Sequence, residues 1–259
     1  MRTVRTLFVV LFVVAASRAA LAETLTPRQI LDKVLDADPF GLSGAVIEAR
    51  ALLKDKNGAT SQLSFQASSR RHDPPYAKSL VRFTAPPDLA GAGFLQIQNR
   101  GSDDDRYLFL PELKRSRKIS GDLRGSSFMG TDFSYADFDR RDLREGTLTS
   151  KPDENVGKSS CHVIDVVPRR SDSPYSKLTI WVRKDNFLPL KIAMHDAAGV
   201  LVKTLTAVEI KRISGNWYIT RARMVDHGQS HTTELLLDRI VPKDDVPDGE
   251  FTVRTLEKL

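Results

Sequence analysis

Two histidines four residues apart, His227 and His231, have the spacing most typical of a metal site in this sequence. On one face of a helix, two such imidazoles could bind zinc. Here Gly228 lies between them, and the segments on both sides alternate as strands do. The pair therefore flanks a turn, and we predict neither a metal site nor any cofactor.

Three consecutive carboxylates, Asp103, Asp104 and Asp105, have the oxygen ligands that calcium prefers. A calcium loop also needs spaced oxygen ligands at the positions that follow, and these are absent. We predict a solvated turn here rather than a cation site.

Catalytic motifs are not evident in the sequence. Gly157, Lys158 and Ser159 resemble the end of a phosphate-binding loop, but Pro152 occupies the position of its first glycine. No Gly-x-Ser-x-Gly motif and no dinucleotide-binding glycine pattern occurs. We predict that the protein is not an enzyme, although carboxylates brought together by the fold leave an unrecognised hydrolase open. Cys161, the single cysteine, is expected to point into the core from a strand.

The N-terminus has the order of features that is typical of a secretory signal peptide. Arg2 and Arg5 precede an apolar run over residues 7–16, and Ala20-Leu21-Ala22 follows as a cleavage site. A membrane anchor is the alternative, but the run is about half the ~20 residues that a spanning helix needs. We predict cleavage after Ala22 and a periplasmic location. The residue directly after the site is Glu23 and not cysteine, so we expect no lipid anchor.

The composition is that of a globular domain with a mild positive charge. Lys and Arg number 39 against 33 Asp and Glu, a net charge of +6, and the basic residues are dispersed among acidic ones. Dispersed charge argues against nucleic acid as a partner. We expect one domain over residues 23–259, and a monomer. The polar segment 151–159 is the nearest approach to a linker.

One helix is predicted at the start of the mature chain. Thr26 is a suitable N-cap, Pro27 suits the first helical position, and Gln29 would complete a capping box. Residues 38–41 should end the helix. Its apolar face is formed by Ile30, Leu31, Val34 and Leu35.

Beyond the helix, short alternating segments are separated by turn residues such as Asn57-Gly58. This pattern predicts an antiparallel sheet that curls or closes. The predicted strands are residues 45–54, 60–69, 79–84, 94–98, 106–110, 115–120, 162–167, 177–183, 190–194, 200–206, 208–213, 217–222, 224–225 and 232–239.

A glycine-rich segment, residues 121–134, interrupts the strands and carries Phe128, Met129 and Phe133. A loop with large apolar side chains must pack on the domain or contact a ligand. Residues 135–144 are predicted to form a short helix capped by Ser134.

Residues 106–138 read RYLFLPELKRSRKISGDLRGSSFMGTDFSYADF. This segment resembles the signature of the outer membrane lipoprotein-sorting proteins, the LolA-like family of periplasmic carriers, and within it the branch with the motif Phe-Met-Gly-Thr-Asp-Phe-Ser-Tyr. Segments 83–95, 181–203 and 251–256 agree with the same family. The resemblance implies a mostly β fold, an unclosed, strongly curved antiparallel β-barrel with an α-helical lid on its concave side. The helix at residues 27–36 would be part of that lid.

The resemblance also implies a function. The protein would be a soluble periplasmic carrier of lipids or lipoprotein acyl chains, working with an inner-membrane transporter and an outer-membrane acceptor. The alternative is an envelope regulatory or sensor module that binds a partner protein and transports nothing. The expected lining of a hydrophobic cavity and its lid is Ile30, Leu31, Val34, Leu35, Phe65, Phe83, Phe94, Phe109, Phe128, Met129, Phe133 and Trp181.

Residues 128–132 are predicted to form a gate over the mouth of that cavity, because the flanking glycines Gly125 and Gly130 would let the segment bend. The alternative is that Phe128 simply fills the core. Asp132 is expected to cap the turn near Ser134 or to pair with a cation such as Arg115 or Arg117.

Overall fold

The computed structural model describes residues 25–73, 76–120, 123–243 and 245–258. The predicted signal peptide, residues 1–22, lies outside the described residues. Helix α1, Pro27–Ala37, begins as predicted, with the backbone N–H of Gln29 donating to Thr26 Oγ1 and that of Thr26 to Gln29 Oε1. Its four predicted apolar residues are buried.

Thirteen strands and two further short helices follow α1 in the described chain. The strands are β1 Ala45–Lys54, β2 Thr60–Asp73, β3 Tyr76–Ala85, β4 Gly93–Ile97, β5 Asp105–Leu110, β6 Arg115–Lys118, β7 Thr147–Val156, β8 Ser159–Val167, β9 Lys177–Arg183, β10 Pro189–His195, β11 Leu201–Ile213, β12 Asn216–Asp226 and β13 His231–Pro242. The helices are α2 Arg141–Glu145 and α3 Val253–Leu256, and 3₁₀ turns occupy Pro111–Leu113, Tyr135–Phe138 and Asp248–Glu250.

All thirteen strands form one antiparallel sheet in the order β6-β5-β4-β3-β2-β1-β13-β12-β11-β10-β9-β8-β7. Two meanders, β1 to β6 and β7 to β13, are joined where β1 pairs with β13, for example Ala45 with Pro242. Strands β6 and β7 lie at the two ends, so the sheet is not closed. Its mostly β, antiparallel and unclosed character confirms the predicted fold class.

The sheet is strongly curved. Phe83 of β3 and Leu178 of β9 belong to the same buried cluster, although seven strand-to-strand steps separate β3 from β9. In a flat sheet that separation would be about 34 Å. Because the two side chains share one core, the sheet must bend around it. We call the face that carries this core the inner face and the other face the outer face.

Helix α1 closes part of the inner face. Ile30, Leu31 and Val34 pack into the inner core, and α1 contacts β7 and α2. Arg28 Nη1 donates to the carbonyl oxygen of Leu143 at 3.3 Å, which ties α1 to the α2 segment. The helix therefore covers the core from the side opposite the sheet.

The polar segment 151–159 is not the loop that its composition predicted. Most of it belongs to β7, an edge strand that is exposed along most of its length. An edge strand needs no buried alternation, and the register with β8 shifts between Lys151 and Glu154, around Pro152. Proline is tolerated at such edges and bulges.

Three other predicted elements have different boundaries in the structure. Residues 200–206 and 208–213 are one strand, β11, because bulges between Ala207 and Ile210 shift its alternation. Residues 217–225 likewise lie within the single strand β12. The predicted helix at 135–144 is divided into a 3₁₀ turn and α2, with Asp139 in extended backbone between them.

Candidate functional site

A cavity of about 180 Å³ lies against the inner face. It exceeds the roughly 150 Å³ of an engineered apolar cavity that binds benzene. Strands from both meanders contribute to its wall, alternate residues of each strand pointing inward. The residues that line it are Phe40, Leu42, Ile47, Ala51, Leu63, Phe65, Ala67, Ala77, Ser79, Val81, Phe83, Phe94, Gln96, Gln98, Phe128, Thr131, Phe133, Ala136, Asp137, Phe138, Asp139, Arg140, Asp142, Leu143, Tyr175, Leu178, Ile192, Met194, Leu205, Met224, Leu235 and Leu237.

Aromatic rings surround Phe128 at one part of the cavity. Its centroid lies 5.0 Å from that of Phe138, 5.2 Å from Phe94, 5.5 Å from Tyr135 and 6.0 Å from Phe83. Phe128 is 6% exposed. Ring pairs at these separations attract beyond simple burial. The side chain is therefore packed as a core residue and also forms part of the cavity wall.

In another part of the wall, small side chains leave empty space. Ala67, Ala77 and Ser79 line the cavity on β2 and β3, and Ala67 pairs with Val81 across the two strands. Ser79 and Val81 occupy alternate positions of β3 and so point to the same face. Small side chains beside large aromatic ones therefore account for the unfilled apolar volume of the cavity.

Residues 127–134 form a tight hairpin that carries Phe128. Ser127 bridges Ser134, and the backbone N–H of Phe128 donates to the carbonyl oxygen of Phe133 at 2.7 Å. Met129 and Gly130 both have positive φ, 52° and 80°, as the two-residue turns of type I′ require. We call residues 127–134 the plug hairpin.

Asp132 fastens the plug hairpin to the sheet, and its predicted partners were wrong. Its carboxylate lies 2.8 Å from His231 Nδ1 and accepts a hydrogen bond of 2.7 Å from Thr233 Oγ1. Lys203 Nζ donates to the carbonyl oxygen of Asp132 at 2.7 Å. Strands β11 and β13, distant in sequence, therefore supply the contacts that were expected from nearby arginines.

The capping role expected of Asp132 belongs to Asp137. Asp137 Oδ2 accepts a hydrogen bond of 2.7 Å from the backbone N–H of Ser134, and Asp137 Oδ1 accepts one of 2.8 Å from the Tyr175 hydroxyl. Burial raises the pKa of Asp137, although Lys203 Nζ lies 4.0 Å away and acts in the opposite direction. Burial also raises the pKa of Tyr175.

A buried ionic network lies beside the cavity. Arg106 Nη2 is 3.0 Å from Asp104 and 2.6 Å from Asp139. Arg124, 2% exposed, is 3.0 Å from Asp139 and 2.7 Å from Asp172. Buried charges persist only when they are paired in this way. The network joins the residues on either side of the plug hairpin, Arg124 and Asp139, to β5 and to the loop before β9.

The predicted solvated turn at residues 103–105 is therefore wrong for Asp104, which is buried within that network. Asp103 pairs with Arg170 at 2.7 Å and Asp105 with Lys118 at 2.6 Å. Nothing in the sequence indicated that Arg170, 67 positions along the chain, would pair with Asp103.

Five of the predicted cavity residues line the cavity. They are Phe65, Phe83, Phe94, Phe128 and Phe133. Met129 packs against the inner core but does not line the cavity. The α1 residues Ile30, Leu31 and Val34 also lie in this core, and Leu35 is buried near the end of the helix.

Phe109 and Trp181 lie on the outer face and do not line the cavity. Phe109 packs with Phe251 and Leu256 of the C-terminal segment, because it alternates with the inward-pointing Leu108 on β5. Trp181 alternates on β9 with Ile180 and Val182 of the inner core, and its Nε1 donates to Glu154 Oε2 at 2.8 Å. It packs against the cluster that contains the fully buried Cys161. Cys161 thus lies in a core, as expected.

The aliphatic wall from the second meander was not identified from the sequence. Met194 of β10, Leu205 of β11, Met224 of β12 and Leu235 of β13 all line the cavity. Their alternation within strands was visible, but nothing in it distinguished inner from outer face. The polar residues of the wall, such as Arg140, were also missed.

Solved structures with this architecture come from several bacteria. An outer membrane lipoprotein-sorting protein domain from Vibrio parahaemolyticus is 25% identical, with 90% of this chain and 98% of that chain covered and a TM-score of 0.83. A DUF1329 family protein from Desulfovibrio piger is 26% identical over 90% of this chain and 100% of that chain, with a TM-score of 0.81. A family model described only as an uncharacterized protein matches residues 76–258. The chain belongs to the family of this model, and it resembles the LolA-like lipoprotein-sorting proteins.

The LolA-like fold extends to a LolA superfamily protein from Nitrosomonas europaea. That protein is 20% identical, with 88% of this chain and 98% of that chain covered and a TM-score of 0.71. At this identity the similarity concerns the fold alone. A search of curated protein sequences finds no match to the LolA-like chain.

Two absences concern only the part of the LolA-like chain that the structure describes. No helix there is both long and apolar enough to span a bilayer. Over the same residues, no three His, Cys, Asp or Glu side chains gather closely enough to hold a metal ion.

Proposed function

We propose that this LolA-like protein is a non-catalytic periplasmic carrier that holds a lipid, or the acyl chains of a lipoprotein, in the cavity of its inner face. The observation that carries the proposal is the cavity itself, with its apolar wall of aromatic and aliphatic side chains. An acyl chain in water costs about 0.8 kcal/mol per CH₂, on the order of 12 kcal/mol for sixteen carbons. A carrier must offset that cost, and an apolar cavity does so.

The unclosed sheet supports uptake and release. The cavity wall combines β3 and β9, which belong to different meanders, while the end strands β6 and β7 do not pair with each other. A change in curvature can therefore alter the cavity without breaking ladder hydrogen bonds. Transfer from an inner-membrane transporter to an outer-membrane acceptor is part of the proposal, supported by the lipoprotein-sorting description of the similar Vibrio protein.

The periplasmic location rests on the signal pattern of residues 1–22. N-terminal sequencing of the protein from its native envelope should begin at Glu23, with the sequence Glu-Thr-Leu-Thr. Recovery of an intact Met1 from the soluble fraction would contradict export and cleavage.

Cargo is identified by mass spectrometry of organic extracts from the native protein, and affinity by titration with a fluorescent fatty acid. We expect a copurifying lipid and saturable probe binding. Ser79→Phe should weaken probe binding at least several-fold, because Ser79 lines the cavity and the added ring would occupy it.

Thr84→Phe is the matched control for this titration. Thr84 lies on the same strand, β3, but is exposed and does not line the cavity. It should bind the probe as the unmodified protein does. Absence of copurifying lipid together with absence of probe binding would refute the carrier function.

A further inference from the structure

A basic edge lies at one end of the sheet. Strand β6 is the last strand in the order, and the short turn from β5 leads into it. The side chains of Lys114, Arg115, Arg117 and Lys118 are exposed, and Leu113 at the turn is 52% exposed. We call residues 113–118 the basic edge.

Three of the four cations of the basic edge form no ion pair with the described residues, and the nearby Glu257 carboxylate accepts a hydrogen bond of 2.8 Å from the backbone N–H of Ser116. Lys118 pairs with Asp105 at 2.6 Å. Among the residues that the structure describes, no carboxylate forms an ion pair with Lys114, Arg115 or Arg117. An exposed cluster of unpaired cations attracts anions at a distance and gives a salt-dependent interaction.

The two arginines lie on the same side of the sheet as the cavity. Arg117 pairs across the strands with Leu108, and Arg115 pairs with Leu110. Leu108 belongs to the inner core and Leu110 packs against it, so cross-strand partners place both arginines on the inner face.

The basic edge is also close to the aromatic part of the cavity wall. Arg117 acts electrostatically on the Tyr135 hydroxyl, whose pKa is raised by burial and lowered in part by this cation. Tyr135 is 5.5 Å from both Phe94 and Phe128, centroid to centroid, and these two rings line the cavity. Charge and cavity therefore meet at the same end of the sheet.

We propose that the basic edge docks on the surface of a bilayer that contains anionic phospholipids. The unpaired cations match the charge of such a surface, and the exposed Leu113 beside them can enter its interfacial region. Segments that bind at a membrane interface combine cations with an exposed apolar side chain, as the basic edge does. An acidic protein partner would need only the cations. The inference rests on the proposed function, because a carrier must collect or deliver its cargo at a bilayer.

Docking is measured by co-sedimentation of the full-length mature protein with vesicles. We expect binding to vesicles of equal parts phosphatidylglycerol and phosphatidylcholine at low salt, and much weaker binding to phosphatidylcholine alone. Salt should weaken the binding. Arg115→Gln with Arg117→Gln should lower the partition coefficient about fivefold per arginine.

The matched control is Lys54→Gln with Lys56→Gln. It removes the same two charges from exposed positions at the β1–β2 turn, and β1 is five strand-to-strand steps from β6. This variant should bind vesicles nearly as the unmodified protein does. Leu113→Ser should reduce the binding that persists at high salt. All positions are exposed, and thermal unfolding will verify that each variant folds.

Fatty-acid probe affinity in vesicle-free buffer separates this inference from the proposed function. The arginine variant should keep that affinity while losing vesicle binding. Equal binding to both kinds of vesicle, no binding to anionic vesicles at low salt, or equal losses in the arginine and lysine variants would each overturn docking. In those cases the basic edge would serve a partner other than a bilayer.

Discussion

His231 Nδ1 lies 2.8 Å from both carboxylate oxygens of Asp132, although 99 positions separate the two residues in the chain. Thr233, two residues further along β13, donates to the same carboxylate at 2.7 Å. The plug hairpin, which carries Phe128 into the cavity wall, is thus held to the strand that joins the two meanders.

The Asp132 contacts should contribute measurably to stability. Asp132→Ala leaves Thr233 Oγ1 buried without its acceptor, and we expect a loss of about 1–3 kcal/mol in the free energy of unfolding. His231→Ala should lose less, because His231 is partly exposed. Urea unfolding of both single variants and the double variant gives the coupling between them. Additive losses would show that the two residues stabilise the protein independently.

Phe128→Ala tests whether Phe128 is a core residue or a movable gate. Its near-complete burial among four aromatic rings leads us to expect a loss of about 3–5 kcal/mol. Met129→Ala, next to it but only partly buried, is the control and should lose much less. A loss under about 1.5 kcal/mol for Phe128→Ala, with several-fold changed probe affinity, would instead support the gate.

Arg124 should be among the most sensitive positions of the protein. Its guanidinium is buried and pairs with Asp139 and Asp172, so Arg124→Met removes one of the cations that pair with each carboxylate, leaving Arg106 at the buried Asp139 and Arg170 at the partly exposed Asp172. We expect a loss of about 3–5 kcal/mol in thermal or urea unfolding. Arg50→Met is a suitable control, since Arg50 forms an exposed ion pair with Asp238. Similar small losses in both variants would show that the buried network contributes little.

Acid should weaken the same network. The hydrogen bond from Arg170 lowers the pKa of Asp172 from 3.8 to about 2. A carboxyl with a lowered folded-state pKa stabilises the fold above its unfolded pKa, and this contribution is lost as the pH falls through the folded value. Asp137, whose pKa is raised by burial, acts with the opposite sign.

The measurement is the free energy of unfolding between pH 5 and pH 2, compared with that of Asp172→Asn. The unmodified protein should lose stability toward pH 2, and the variant should lose less over the same interval. Parallel curves would mean that the carboxylate of Asp172 does not set the acid response.

The sequence by itself determined the local elements of this protein. Thr26, Pro27 and Gln29 specify the start of α1 through contacts within one helical turn, and strand alternation with turn residues predicted most of the sheet. The segment 106–138 carried the resemblance to the LolA-like family, which the comparisons confirmed. These features depend on residues that are close to one another in the chain, so the sequence alone predicts them.

Only the tertiary structure decided which face of each strand meets the cavity and which charges pair. Phe109 and Leu108 are adjacent and both apolar, yet one packs under the C-terminal segment and the other in the inner core. Asp132 pairs with His231, not with the arginines nearer to it in sequence. Alternation gives two faces without saying which is inside, and an ion pair depends on distances that the curvature of the whole sheet sets.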